Sequence, residues 1–137
     1  MTQYLLSQQD YTADALSHAC EYMVAQYDKP ITIEDISQVA GFSPYYFIRL
    51  FRDTYNETPY QFLRRKRIDK AKELLRTSNF PIEQICTAVG YTSLGSFTTL
   101  FQKTVGLSPA RYRETLSSSA PSMAYIPLCY QVMHGIT

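Results

Sequence analysis

The sequence predicts an all-α protein of about seven helices, arranged as two helix-turn-helix lobes joined by one long helix. Three observations predict it: an internal repeat, helix punctuation that recurs in both copies, and a basic stretch lying between them. Ile31–Arg64 and Phe80–Glu114 align at an offset of 49 that becomes 50 after one inserted residue. The pairs Ile33/Ile82, Glu34/Glu83, Ile36/Ile85, Gly41/Gly90, Phe47/Phe97, Leu50/Leu100, Phe51/Phe101, Thr54/Thr104 and Pro59/Pro109 are identical. Phe42/Tyr91, Ser43/Thr92 and Phe62/Tyr112 are conservative matches, which puts the insertion at about Leu94. Self-similarity on this scale marks two copies of one supersecondary unit.

The elements follow in order. Asp10 to Tyr27 carries Ala15, Ala19, Tyr22 and Met23 at helical spacing and predicts a first helix. Thr32 before Ile33-Glu34-Asp35 is a cap followed by acids in a first turn, and Ile33, Ile36, Val39 and Ala40 supply that helix's apolar face. Gly41 ends it, where a left-handed backbone is commonly required. Ser43 caps the next helix, Pro44 occupies its first position, and Phe47, Leu50 and Phe51 form its buried side. Thr58-Pro59 opens a long helix to about Arg76, with Leu63, Ile68, Ala71, Leu74 and Leu75 inward. The second copy repeats the sense with Pro81 in place of Thr32, Gly90 at the turn, Thr92 as cap, and Ser108-Pro109 opening the last helix. The chain thus divides into residues 1–76 (N-terminal helix, first lobe and linker helix), 77–116 (second lobe) and 117–137 (a serine-rich linker and an apolar tail).

Composition bounds the function. Hydrophobic residues make up 45% and charged residues 18%, enough to bury a core without staples. No apolar run reaches the ~20 residues of a membrane span, and the N-terminus lacks the pattern of a signal peptide, so a cytoplasmic location is expected. Cys20, Cys86 and Cys129 are far apart and without ligand spacing to His18 or His134, so neither a disulfide framework nor a metal site is expected. Cys86, in register with Ile82, Ile85 and Val89, reads as core. No carboxylate pair, activated nucleophile, phosphate loop or cofactor motif appears, and nothing suggests a small-molecule pocket; an enzyme is a distant reading.

Net charge is only +1, but its distribution is uneven. Met1 to Ile48 holds one base against six acids, whereas Arg49 to Lys72 holds eight bases against three acids. Such a stripe is the footprint expected of a phosphate-binding surface.

The segment ITIEDISQVAGFSPYYFIRLFRDTYNETPYQFLRRKRIDKAKELLRTSNFPIEQICTAVGYTSLGSFTTLFQKTVGLSPARYR resembles the DNA-binding domain of the arabinose-regulator (AraC/XylS) family, in the spacing of Gly41, Phe51, Pro59, Gly90, Phe101 and Pro109. The resemblance implies a transcription regulator, often an activator, that places two recognition helices in successive major grooves of double-stranded DNA, with RNA polymerase as partner. The short N-terminal part looks like the stand-alone members, which would act as monomers on DNA.

By the family pattern Tyr45, Ile48 and Arg49 sit where base-contacting residues are found. Arg49 is the strongest candidate, since its guanidinium can engage guanine O6 and N7 together. In the second recognition helix the corresponding set is Leu94, Ser96, Thr98 and Thr99, with Gly95 among them and Thr99 in the place of Arg49; hydroxyls discriminate bases weakly, so uneven readout is expected. Tyr46, Arg52, Arg64, Arg65, Lys66, Lys103 and Arg111 are the candidate phosphate contacts, and one of the run Arg64–Arg67 must turn inward because consecutive positions circle a helix. Two other readings stay open: the DNA-binding half of a larger sensor regulator, and a helical protein-interaction module that has lost specific DNA binding.

Overall fold

A computed structural model describes the backbone of residues 2–118 and the side chains of residues 11–116. Among the described residues there are seven helices and no strand: α1 (Thr2–Ala25), α2 (Ile33–Ala40), α3 (Pro44–Tyr55), α4 (Pro59–Thr77), α5 (Ile82–Ala88), α6 (Leu94–Val105) and α7 (Pro109–Ser118). None is long and apolar enough to cross a membrane. The tail after residue 118, with Cys129 and His134, lies outside the described residues.

Local chemistry sets the boundaries. Thr32 and Asp35 form a reciprocal capping box at the start of α2: the Asp35 amide donates to the Thr32 hydroxyl at 3.2 Å, and the Thr32 amide to the Asp35 carboxylate at 3.0 Å. Thr58 and Gln61 repeat the device on α4, ahead of Pro59 at its first position. Both helix-turn-helix turns close in one way. The Phe42 amide reaches back to the Ser37 carbonyl and the Tyr91 amide to the Cys86 carbonyl, with Gly41 and Gly90 left-handed at φ 81° and 97°.

Three expectations from the sequence are corrected. The helix read as beginning at Asp10 begins at Thr2 and ends at Ala25. The earlier residues carry no breaker, so helical backbone extends beyond the stretch whose apolar face had marked it. Val39, read as part of the buried face of α2, is 43% exposed, because α2 turns Ile36, Ser37 and Ala40 inward. The cap of α6 is Ser93 rather than Thr92: the Ser93 hydroxyl accepts from the Ser96 amide at 3.2 Å. The inserted residue therefore lies within the turn, and the true counterpart of Ser43 is one residue further on.

Two apolar clusters form the interior. The first gathers Leu16, Ala19, Met23, Ile36, Phe47, Phe51 and Leu63 from α1 to α4. The second gathers Ile68, Leu75, Ile85, Cys86, Val89, Phe97, Phe101 and Tyr112 from α4 to α7. Each is built around a tilted phenylalanine pair at matching repeat positions, Phe47–Phe51 with centroids 5.6 Å apart and Phe97–Phe101 at 5.9 Å. Helix α4 serves both, Leu63 facing one cluster and Ile68, Ala71 and Leu75 the other. Its 19 residues make a strut of roughly 28 Å at ~1.5 Å per residue. At its far end the Arg113 guanidinium donates to the Leu75 and Ser78 carbonyls, placing a cation where helix carbonyls are left over.

Candidate nucleic-acid interface

Burial of Phe47 and Phe51 dictates which side of α3 is free. The residues one and two positions away circle to the opposite face, so Tyr45, Arg49 and Arg52 project outward together. Among the described residues Tyr45 is the most exposed of the large apolar side chains, at 78%. Among the described residues no carboxylate lies within ion-pairing distance of Arg49 or Arg52. Ile48 is half-buried, at the edge of an apolar hollow of about 270 Å³ between α2, α3 and the start of α4. No local pattern announces that hollow, since its walls (Ile31, Ile33, Ile36, Pro59, Tyr60, Leu63) come from separate segments. Tyr46 divides its surface: its ring meets Phe42 edge-on at 5.3 Å while half of the residue remains exposed.

Helix α6 repeats this arrangement through the 50-residue offset, with Phe97 and Phe101 inward. Leu94, Gly95, Ser96 and Thr99 are exposed, and Thr98 is half-buried like its counterpart Ile48. Two exposed residues beside these sets, Gln102 and Tyr60, are not among the candidates named from the sequence. Gln102, exposed one turn beyond Thr98 and Thr99, stands where α3 has Arg52. The repeat alignment carries that signal, since Gln102 pairs with Arg52 at the 50-residue offset.

The basic run on α4 splits four ways. Arg64 lies over the Tyr60 ring at 5.1 Å, and Tyr60, also missed, is 63% exposed beside Ile48 at the mouth of the hollow. Lys66 lies over Phe62 at 5.4 Å. Arg65 is held by Glu57 at 2.7 Å, and this hydrogen-bonded carboxylate raises its already high pKa. Arg67 is the one that turns inward, donating to the Tyr27 and Lys29 carbonyls. Lys103 and Arg111 are exposed, on the last turn of α6 and the first turn of α7, with no ion-pair partner among the described residues. Among the described residues, Arg49, Arg52, Lys103 and Arg111 on α3, α6 and the start of α7 are thus without an ion-pair partner, while Arg65 is already neutralised by Glu57.

The family described as "Helix-turn-helix domain" matches residues 36–115. SoxS, a regulatory protein of Salmonella typhimurium, is 30% identical over 96 residues, covering 70% of this chain and 90% of SoxS. The chain belongs to the AraC-type helix-turn-helix family of transcription regulators. Some relatives in this family are much longer. The probable transcriptional regulator LumQ of Photobacterium leiognathi is 34% identical over 92 residues, which are 67% of this chain but 37% of LumQ. Measured on LumQ, therefore, the chain spans little more than a third of a relative. Among AraC-type folds of known structure, the DNA-binding domain of AdpA, the global transcriptional factor, solved in complex with a target DNA, superposes with a TM-score of 0.69 at 26% identity, covering 81% of this chain and 96% of that one.

Proposed function

We propose that this protein is a sequence-specific transcription regulator that binds double-stranded DNA as a monomer, seats α3 and α6 in adjacent major grooves and activates transcription with RNA polymerase as its partner. The observation that carries the reading is the free face of α3. There Arg49 has no partner among the described residues, flanked by Tyr45 and Arg52, on a helix fixed from behind by Phe47 and Phe51. An exposed guanidinium has no internal contact to break before it reaches a guanine, and a helix held rigidly from one side is what base readout in the major groove requires. The match to SoxS over most of that regulator's length, and to the AdpA domain in its DNA complex, supports the same reading.

In this mechanism Arg49 reads a guanine edge while Tyr45 and Ile48 pack on thymine methyls. Arg52, Lys103 and Arg111 anchor the phosphates, with Tyr46, Arg64 and Lys66 at the margin. Arg65 contributes less, because a phosphate must compete with Glu57 for it. Helix α6 offers Leu94, Ser96, Thr98, Thr99 and Gln102, a set rich in hydroxyls. The half-site under α3 is therefore the stringent one and that under α6 the tolerant one.

Selection of bound duplexes from a random double-stranded library at about 150 mM salt, followed by fluorescence anisotropy, tests this. The expected product is a site of two parts about one helical turn apart, one part sharper than the other. Enrichment of nothing, with binding that disappears at moderate salt, would leave only phosphate attraction and favour a protein-interaction module instead.

A further inference from the structure

The two lobes meet around Arg67, beside the turn that precedes α6. On α4 it stands between Leu63, which belongs to the first core, and Ile68, which belongs to the second. Its Nε donates to the Tyr27 carbonyl at 2.6 Å and its Nη2 to the Lys29 carbonyl at 3.0 Å, both in the connection between α1 and α2. The same guanidinium lies over the ring of Tyr91, 5.5 Å from its centroid, in the turn that leads into α6. Tyr27 itself packs against both apolar clusters.

The glycines of the two turns show how tight this point is. A Cβ on Gly90 would lie 2.9 Å from the Tyr27 carbonyl oxygen, 3.2 Å from the Asp28 carbonyl carbon and 3.2 Å from Arg67 Nε. A Cβ on Gly41, in the same place of the first unit and equally left-handed, would meet nothing within 4 Å. The repeat thus uses one turn in two ways: in the first lobe it is free, and in the second it is pressed against the first lobe's backbone.

We propose that Arg67 is a positioning residue, and that the joint it forms with the Tyr27–Lys29 carbonyls, Gly90 and Tyr91 fixes the setting of α6 relative to α3, and so the base-pair spacing the protein accepts between its two half-sites. This rests on the DNA-binding reading above. Each recognition helix starts directly after its glycine turn, so locking the Gly90–Tyr91 turn onto the first lobe locks the start of α6. Helix α4 alone would leave a single strut between the lobes, whereas the Arg67 joint adds a second connection beside it. One base pair of spacing error displaces a half-site by about 3.4 Å and rotates it by roughly 34°. A rigid joint rejects that error and a hinged one accommodates it.

The test uses the full chain and the two-part duplex that the wild type enriches from a random library, resynthesised with its spacer shortened or lengthened by one and two base pairs. The wild type is expected to lose at least about tenfold in affinity per one-base-pair change. Arg67→Ala, which releases the joint, and Gly90→Ala, which wedges it, should flatten that profile to within about threefold, while Gly41→Ala keeps the wild-type profile. Arg67→Lys keeps the charge but cannot span both carbonyls with a fork, and should flatten the profile as Ala does. The salt slope of Arg67→Ala should match the wild type, since the residue touches no phosphate; a slope lower by about one would make it a phosphate contact and overturn the proposal. Should Arg67→Ala lose its helical circular dichroism, Arg67→Lys and Gly90→Ala carry the test. Variants that keep the wild-type spacing profile, or a profile restored by Lys, would also overturn it. A wild type that enriches no two-part site would sink the DNA-binding reading itself, a result distinct from either.

Discussion

Alanine at Gly41 and at Gly90 is a matched pair, because the two glycines hold equivalent turns in the repeat and differ in their surroundings. Both backbones are left-handed, at φ 81° and 97°, so each substitution brings the same kind of strain, about 1–2 kcal/mol for an L-residue. Each also narrows the unfolded ensemble by the same amount, a gain of about 0.4–1 kcal/mol that cancels in the comparison. What differs is contact. The new methyl at position 41 enters open space, whereas at position 90 it comes within 2.9 Å of a backbone oxygen that can retreat only by moving the α1–α2 connection. Overpacking of that kind costs about 1–3 kcal/mol. Gly41→Ala should therefore destabilise by about 1 kcal/mol and Gly90→Ala by roughly 2–4 kcal/mol. Urea denaturation of the full-length variants, followed by circular dichroism at 222 nm, reads the difference as a shift in midpoint at constant m. Equal midpoints for the two variants would refute the reasoning, and with it the claim that the second turn is pressed onto the first lobe.

Four further outcomes follow from the same geometry. Arg49→Ala should cost roughly 1–3 kcal/mol at one base pair of the selected site and relax specificity there, measured by anisotropy on single-base variants; a loss uniform across sequences would reassign the residue to phosphate. Lys103→Ala should weaken binding evenly and lower the salt slope by about one, and an unchanged slope would remove it from the interface. Arg65→Ala should change DNA affinity less than Arg52→Ala in the same titration, because only Arg65 already has a carboxylate partner; the reverse order would mean that Glu57 releases it on binding. Burial pushes the phenols of Tyr27, Tyr55 and Tyr91 above their ordinary pKa. The native state then keeps protons that the unfolded chain releases, so the stability these phenols contribute should be complete below about pH 10 and be lost as pH rises past it. The thiols of Cys20 and Cys86, raised by burial as well, act in the same direction. A thermal midpoint flat from pH 9 to 11 would contradict that.

The sequence by itself determined the elements that depend on near neighbours. Thr32, Ser43, Thr58 and Ser108 start helices because a hydroxyl reaches an amide three residues on, a contact legible in any sequence. Phe47 and Phe51, with Phe97 and Phe101, announce buried faces through spacing alone, and by elimination they expose Tyr45, Arg49 and Thr99 on the opposite side. Local rules faltered where two adjacent residues offered the same chemistry. Thr92 and Ser93 are both plausible caps, and the position of the inserted residue was settled only when the Ser93 hydroxyl met the Ser96 amide. Only the tertiary structure decided which member of the run Arg64–Arg67 turns inward. Helical periodicity requires that one should, yet the carbonyls that bind Arg67 lie 38 and 40 residues away in the chain. The same holds for the hollow beside Ile48 and for the different surroundings of Gly41 and Gly90. Turn chemistry and periodicity act over a few residues, whereas these features depend on where backbone from distant segments comes to rest.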